Sequence, residues 1–156
     1  MSSCSFDRTR QSRASFSTIA RNLPAWTATA REAVGFVARQ PGVAGPIGVL
    51  GVSLGGGLAV AAAQAEPRVR AVVNYFGFVP SAFDPGGRLP PVLVLHGARD
   101  RIVPVQNAMA FKALLEARGI PHEVQIYADQ GHGFTGAAAG DASRRITAFF
   151  RRHLEG

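Results

Sequence analysis

The sequence predicts an α/β fold, a parallel sheet of about four strands flanked by helices. Three observations carry this. Segments of strand character, apolar runs at 46–52, 69–76 and 91–96 and an alternating one at 122–128, are separated by helical stretches or one long loop. The segments between them are long enough for crossovers, which implies parallel strands joined with one hand. At 156 residues, 47% of them hydrophobic and 17% charged, the chain has the size and composition of one ordinary globular domain.

Residues 1–23 differ from the rest. Serines and arginines crowd there without a clear period, and the segment reads as a polar, disordered or loosely attached tail ahead of a domain at 24–156. Pro24 suits a helix start. From Trp26 to Arg39, Trp26, Ala30, Ala33, Val34, Val37 and Ala38 follow helical spacing until Gln40-Pro41-Gly42 stops it. A second helix is expected from Leu54 to Ala65. The run Val69–Phe76 is β-branched and aromatic, as in a strand buried on both faces. Gly77–Pro90 is a Gly- and Pro-rich loop, long enough to suggest function, with Phe76, Phe78 and Phe83 as candidate pocket lining. After the strand ending at His96, a helix spans Pro104–Arg118, stopped by Gly119. The last helix is expected over 141–154, capped by Asp141.

The net charge of +7 raises the question of nucleic acid. The arginines are mostly scattered, with no recognition helix, zinc-ligand spacing or aromatic-basic strand pair, so a solvated basic face is expected and no nucleic-acid partner. No apolar run reaches the length of a membrane span. The start lacks the apolar core of a secretory signal, so the expected compartment is the cytoplasm. Cys4 alone makes no disulfide framework. No His, Cys and carboxylate cluster has metal-ligand spacing, and no phosphate-cradling loop occurs. Neither metal nor cofactor is expected.

The chemistry centres on Gly51-Val52-Ser53-Leu54-Gly55, set between a strand and a helix. This is a G-x-S-x-G elbow, a sharp turn that lifts a serine hydroxyl over the end of a sheet. The glycines two before and two after the serine are expected to let strand and helix approach. A serine hydroxyl needs a base, and an imidazole base needs an acid to orient it. In open parallel sheets, such groups collect beyond the carboxyl ends of the strands. Asp100 follows the third strand and His132, between two glycines, follows the fourth. Asp129 and Asp84 are the second and third candidate acids. His96, at a strand end, is expected to bond loop backbone, while His122 and His153 read as surface histidines.

The motifs Gly51-Val52-Ser53-Leu54-Gly55-Gly56, Leu95-His96-Gly97-Ala98-Arg99-Asp100-Arg101-Ile102-Val103-Pro104 and Gly131-His132-Gly133-Phe134 resemble the dienelactone hydrolase branch of the α/β-hydrolases. Val72-Val73-Asn74-Tyr75-Phe76-Gly77 resembles it too. The likeness covers about residues 26–154. It implies a partial α/β-hydrolase fold, a triad of Ser53, Asp100 and His132, and an oxyanion hole using the Leu54 amide, with no cofactor. It implies an enzyme cleaving carboxylic esters or lactones through an acyl-enzyme. Three departures accompany it. Ser53 stands where dienelactone hydrolases proper carry cysteine, which favours general serine-esterase chemistry. The arginine that follows the histidine motif has no counterpart at Thr135 and Gly136. The family's strands ahead of the elbow, with the loop giving the second oxyanion donor, have no counterpart either. The elbow strand would then be an open edge that can pair with another chain. A weakly active fragment associating through that edge is the alternative reading, and a peptidase is a third.

Overall fold

A computed structural model describes residues 16–79, 83–84 and 86–155. Its elements are α1 (Phe16–Ala38), β1 (Ile47–Val52), α2 (Leu54–Ala63), β2 (Val69–Tyr75), β3 (Val92–Gly97), α3 (Gln106–Ala117), β4 (His122–Tyr127) and α4 (Gly136–Leu154). The four strands form one parallel sheet in the order β1-β2-β3-β4. The predicted class and all four strands are therefore present.

The sheet has an apolar layer on each face. Val72, Val92 and Val94 pack with α2 and α3 through Val60, Phe111 and Leu115. The alternate residues Ala71, Val73, Leu93 and Leu95 pack on the other face with Phe149 of α4. Every residue of β3 is buried, which is why its sequence is an unbroken apolar run before His96 and not an alternating one. All strand pairs are parallel, so the loops leaving β1, β3 and β4 all open at the same end.

Two boundaries differ from the sequence reading. Helix α1 begins at Phe16, and Pro24 lies inside it. Residues 16–23 are thus helical, while the rest of the expected tail, 1–15, falls outside the described residues. The cause is tertiary. Ile19, Leu23, Trp26 and Ala30 follow i, i+4, i+7, i+11 spacing and pack with Leu58 of α2. That burial outweighs the backbone hydrogen bond Pro24 cannot donate. The signal was present in the spacing, but proline was read as a start. Helix α4 begins at Gly136, with Thr135 extended before it (φ −131°, ψ 163°). Asp141 is therefore not a cap. It lies within the helix, accepts Tyr127 Oη–H (2.9 Å) and Arg145 Nε–H (2.6 Å), and ties α4 to β4.

The arginines also have a more specific place than a solvated face. Arg68 donates to the carbonyls of Ala38, Val43 and Gly45, holding the α1–β1 connection. Arg88 donates to Val69 O (2.9 Å) and Arg118 to Gly87 O (2.6 Å). A guanidinium can satisfy several loop carbonyls at once, which one ammonium does with less fixed geometry. No helix among the described residues is long and apolar enough to cross a membrane.

Leu23 is only 3% exposed. Leu23→Ala is expected to cost about 2–5 kcal/mol, the usual range for emptying a buried leucine site. Urea denaturation measures this, and a change below about 0.5 kcal/mol would mean that residues 16–23 do not dock.

Candidate active site

The site begins with a strained turn. Ser53 has φ 54° and ψ −121°, a conformation costly for a residue with a Cβ. Its N–H donates to Tyr75 O (2.9 Å), and Gly56 N–H donates to Ser53 O (2.9 Å), so neighbouring backbone holds the turn on both sides. A Cβ on Gly51 would lie 1.9 Å from Gly55 O, which makes glycine obligatory before the serine. The expectation for Gly55 is corrected: a Cβ there meets nothing within 4 Å. The second close approach belongs to Gly56 instead, where a Cβ would lie 2.8 Å from Asn74 Oδ1 and 3.1 Å from Gly77 Cα. Asn74 is buried and accepts Gly77 N–H (2.8 Å), fixing the chain as it leaves β2 beside the elbow.

The loops leaving β3 and β4 are knit together by backbone. Ala98 N–H donates to Tyr127 O and Arg99 N–H to Gln130 O, both at 2.9 Å. Gly97 permits this, because a Cβ there would sit 2.4 Å from the carbonyls of both Gln130 and Gly131. The result brings Asp100 and His132 together across 32 residues of chain. His132 Nδ1 lies 2.7 Å from Asp100 Oδ2, and Ser53 Oγ lies 2.8 Å from His132 Nε2. A carboxylate can only accept, so Nδ1 carries the proton and Nε2 presents a lone pair to the serine hydroxyl.

Asp100 is held on its other oxygen too. Its Oδ1 accepts the N–H groups of Ile102 (2.8 Å) and Val103 (2.9 Å). Burial pushes the Asp100 carboxyl up, but the hydrogen bond from His132 and those from Val103 and Ile102 outweigh it, and the group titrates below its ordinary 3.8. His96 completes the support. It is fully buried, and its Nε2–H donates to Val103 O at 2.8 Å, the loop-backbone bond expected of it. The same nitrogen is 3.5 Å from Asp100 Oδ2.

Of the candidate pocket-lining residues, Phe76 stands against the imidazole, while sequence reasoning missed Phe134 behind it. Phe76 has φ 40° and sets its ring 4.8 Å from that of His132. Phe134 packs edge-on to Phe76 and Tyr75 and tilted on Tyr127. The signal for Phe134 was its place two residues after His132 in Gly131-His132-Gly133-Phe134. Phe83, suggested as pocket lining, is a core residue against Phe111. Asp129 is paired with exposed Arg99 (3.1 Å), and Asp84 accepts Gly86 N–H within its own turn (2.9 Å). Neither competing acid bonds His132 among the described contacts. His122 Nδ1 bonds Ile120 O, and His153 is half-buried against Phe149, where burial pushes its pKa down. No three His, Cys, Asp or Glu side chains among the described residues are grouped to hold a metal ion.

A parallel sheet with a serine elbow on β1 and helices on both faces is the α/β-hydrolase class of fold. Comparison with known proteins narrows this. A match to the dienelactone hydrolase family runs over residues 5–154, and the chain belongs to that family. It is 30% identical over 130 residues to a carboxymethylenebutenolidase of Rhodococcus opacus, across 69% of this chain and 50% of the relative. The chain thus spans about half the length of the curated relative it matches. Among solved structures, it is similar to P91, a dienelactone hydrolase-like promiscuous phosphotriesterase from metagenomic libraries (TM-score 0.77, 18% identity, 89% of this chain and 66% of that one). It is also similar to the esterase PE8 (TM-score 0.71, 19% identity, 88% and 66%). These two show the shared fold.

The lowered Asp100 pKa carries a pH signature. A carboxyl that titrates lower when folded adds stability that is present above its unfolded value of 3.8 and is lost as pH falls through the folded value. The stability gap between the native protein and Asp100→Asn is expected to narrow as pH falls from about 5 through 3.8 and below. Denaturant titrations across that range measure it, and a gap that widens on acidification would contradict the assignment.

Proposed function

We propose that the protein is a serine hydrolase of carboxylic esters or lactones. One observation carries this reading, the continuous hydrogen-bonded chain from Ser53 Oγ through His132 to Asp100. In the proposed reaction, Ser53 Oγ attacks the ester carbonyl carbon while His132 Nε2 takes the hydroxyl proton. The carbonyl oxygen becomes an oxyanion facing the Leu54 N–H at the start of α2, where the helix dipole also favours negative charge. The C–O bond to the leaving group breaks, and His132 returns its proton to the departing alkoxide. Water then attacks the acyl-enzyme, again giving a proton to His132, and the acid leaves as Ser53 is regenerated. Asp100 keeps the Nδ1–H tautomer and balances the positive charge on the ring. Phe76 covers one side of the imidazole and Phe134 backs Phe76. The names of the relatives, an esterase and a carboxymethylenebutenolidase, agree with this bond class.

A fluorophosphonate probe is expected to label the folded protein at Ser53, and Ser53→Ala is expected to abolish labelling. Asp100→Asn is expected to lower kcat for p-nitrophenyl acetate by about 10³–10⁴ through the wrong imidazole tautomer. Absence of labelling on folded protein would defeat the proposal.

A second reading has its own observation. Among the described residues β1 is an edge strand, made of uncharged residues, with Leu50 42% and Val52 47% exposed. Such an edge lacks the charges and prolines that usually block pairing. We propose that it pairs with another chain, and light scattering at micromolar concentration is expected to give a mass above the monomer. A strictly monomeric mass would remove this reading.

A further inference from the structure

Beside the elbow lies an apolar cleft that the reaction scheme does not use. Its volume is about 370 Å³, within the ~300–1,000 Å³ usual for small-molecule sites. Ile19 and Leu23 of α1, Phe78 and Val79 after β2, and Ile102 and Val103 of the Asp100 loop line it. Its walls connect directly to the site. Ile19, Leu23 and Phe78 pack in the same cluster as Leu54, the residue after Ser53. Ile102 and Val103 are the residues whose amides hold Asp100 Oδ1.

The chemistry of this cleft is one-sided. Among the described residues its lining has no charged side chain, and its polar member, Asn107, turns Nδ2 to Pro104 O (3.0 Å). Ile102 leaves a large apolar side chain 53% exposed at the lip, where a bound apolar group would cover it. A carboxylate here would lose its water with nothing to pair it. The arginines near the site, Arg99 and Arg101, border a separate depression with Asp100, and Arg99 is already paired with Asp129.

We propose that this cleft receives the acyl chain, so that the substrates are uncharged esters of short aliphatic acids and not carboxylate-bearing esters or lactones. This rests on the serine-hydrolase reading and adds a substrate class to it. Part of the test reads binding without turnover. In Ser53→Ala, ethyl hexanoate is expected to shift the amide resonances of Ile19, Phe78 and Ile102 in ¹H–¹⁵N spectra, while monoethyl succinate leaves them in place. In the unmodified protein, kcat/KM for p-nitrophenyl butyrate is expected to exceed that for the acetate by about tenfold, for two buried methylenes. Ile19→Trp, filling the cleft, is expected to bring that ratio towards one, with circular dichroism confirming the fold.

Three results would overturn the proposal: no shifts at those amides, a butyrate-to-acetate ratio near one, or a succinate half-ester bound or cleaved as well as the hexanoate. Shifts at the cleft in a folded protein that turns over no ester would instead defeat the serine-hydrolase reading, leaving an apolar binding site without that chemistry.

Discussion

Gly97 brings the chain leaving β3 against the carbonyls of Gln130 and Gly131, and the geometry of the site depends on that contact. Any side chain there would force the two loops apart. With them would go the Arg99 N–H to Gln130 O bond and the 2.7 Å approach of His132 to Asp100. The constraint is steric and acts at backbone level. It needs neither the imidazole nor the carboxylate, so the framework exists independently of the groups it presents. The Asp100 carboxylate then gains what a buried anion requires: N–H donors on one oxygen and an imidazole on the other.

The serine is held by a different kind of constraint. Its positive φ costs about 1–3 kcal/mol. The turn persists because Tyr75 O takes its N–H, because Gly51 leaves room for Gly55 O, and because Gly56 lies against Gly77. Two of those three supports come from β2 and the turn that follows it. The elbow is thus a property of the β1–β2 pair more than of its own five residues. Phe76, itself at φ 40°, links the two halves by setting its ring against His132. Strain at both positions lies where backbone strain most often has a use, beside groups that must be aimed.

The sheet is sequential, so among the described residues β1 is an edge even though it carries the serine. An edge with exposed Leu50 and Val52 contrasts with β3, buried along its full length. The chain spans half the length of its Rhodococcus relative, yet the match to the family extends almost from end to end of the chain. The parts present are those that bear Ser53, Asp100 and His132. In the proposed mechanism they supply nucleophile, base, orienting acid and one oxyanion donor.

Much of this was legible in the residues. Three apolar runs and one alternating run of strand length, separated by helices or a long loop, announced a parallel sheet. Ser53, Asp100 and His132 stood out because each follows such a run, where loops of a parallel sheet collect. Local signals were misleading where burial elsewhere outweighed them. Pro24 looked like a helix start until Ile19, Leu23 and Trp26 found Leu58. Asp141 looked like a cap until Tyr127 and Arg145 reached it. Gly55 looked obligatory by its place in a motif, whereas Gly56 is the one pressed on by Asn74 and Gly77.

By itself, then, the sequence determined the class of fold, the number of strands and the three side chains to look for at their ends, because periodicity and turn chemistry are local properties of a chain. Only the tertiary structure decided what packs against the imidazole, which glycines are indispensable and where an apolar cleft opens. Those depend on contacts made when separate elements pack together, and no local pattern encodes which atoms will meet there.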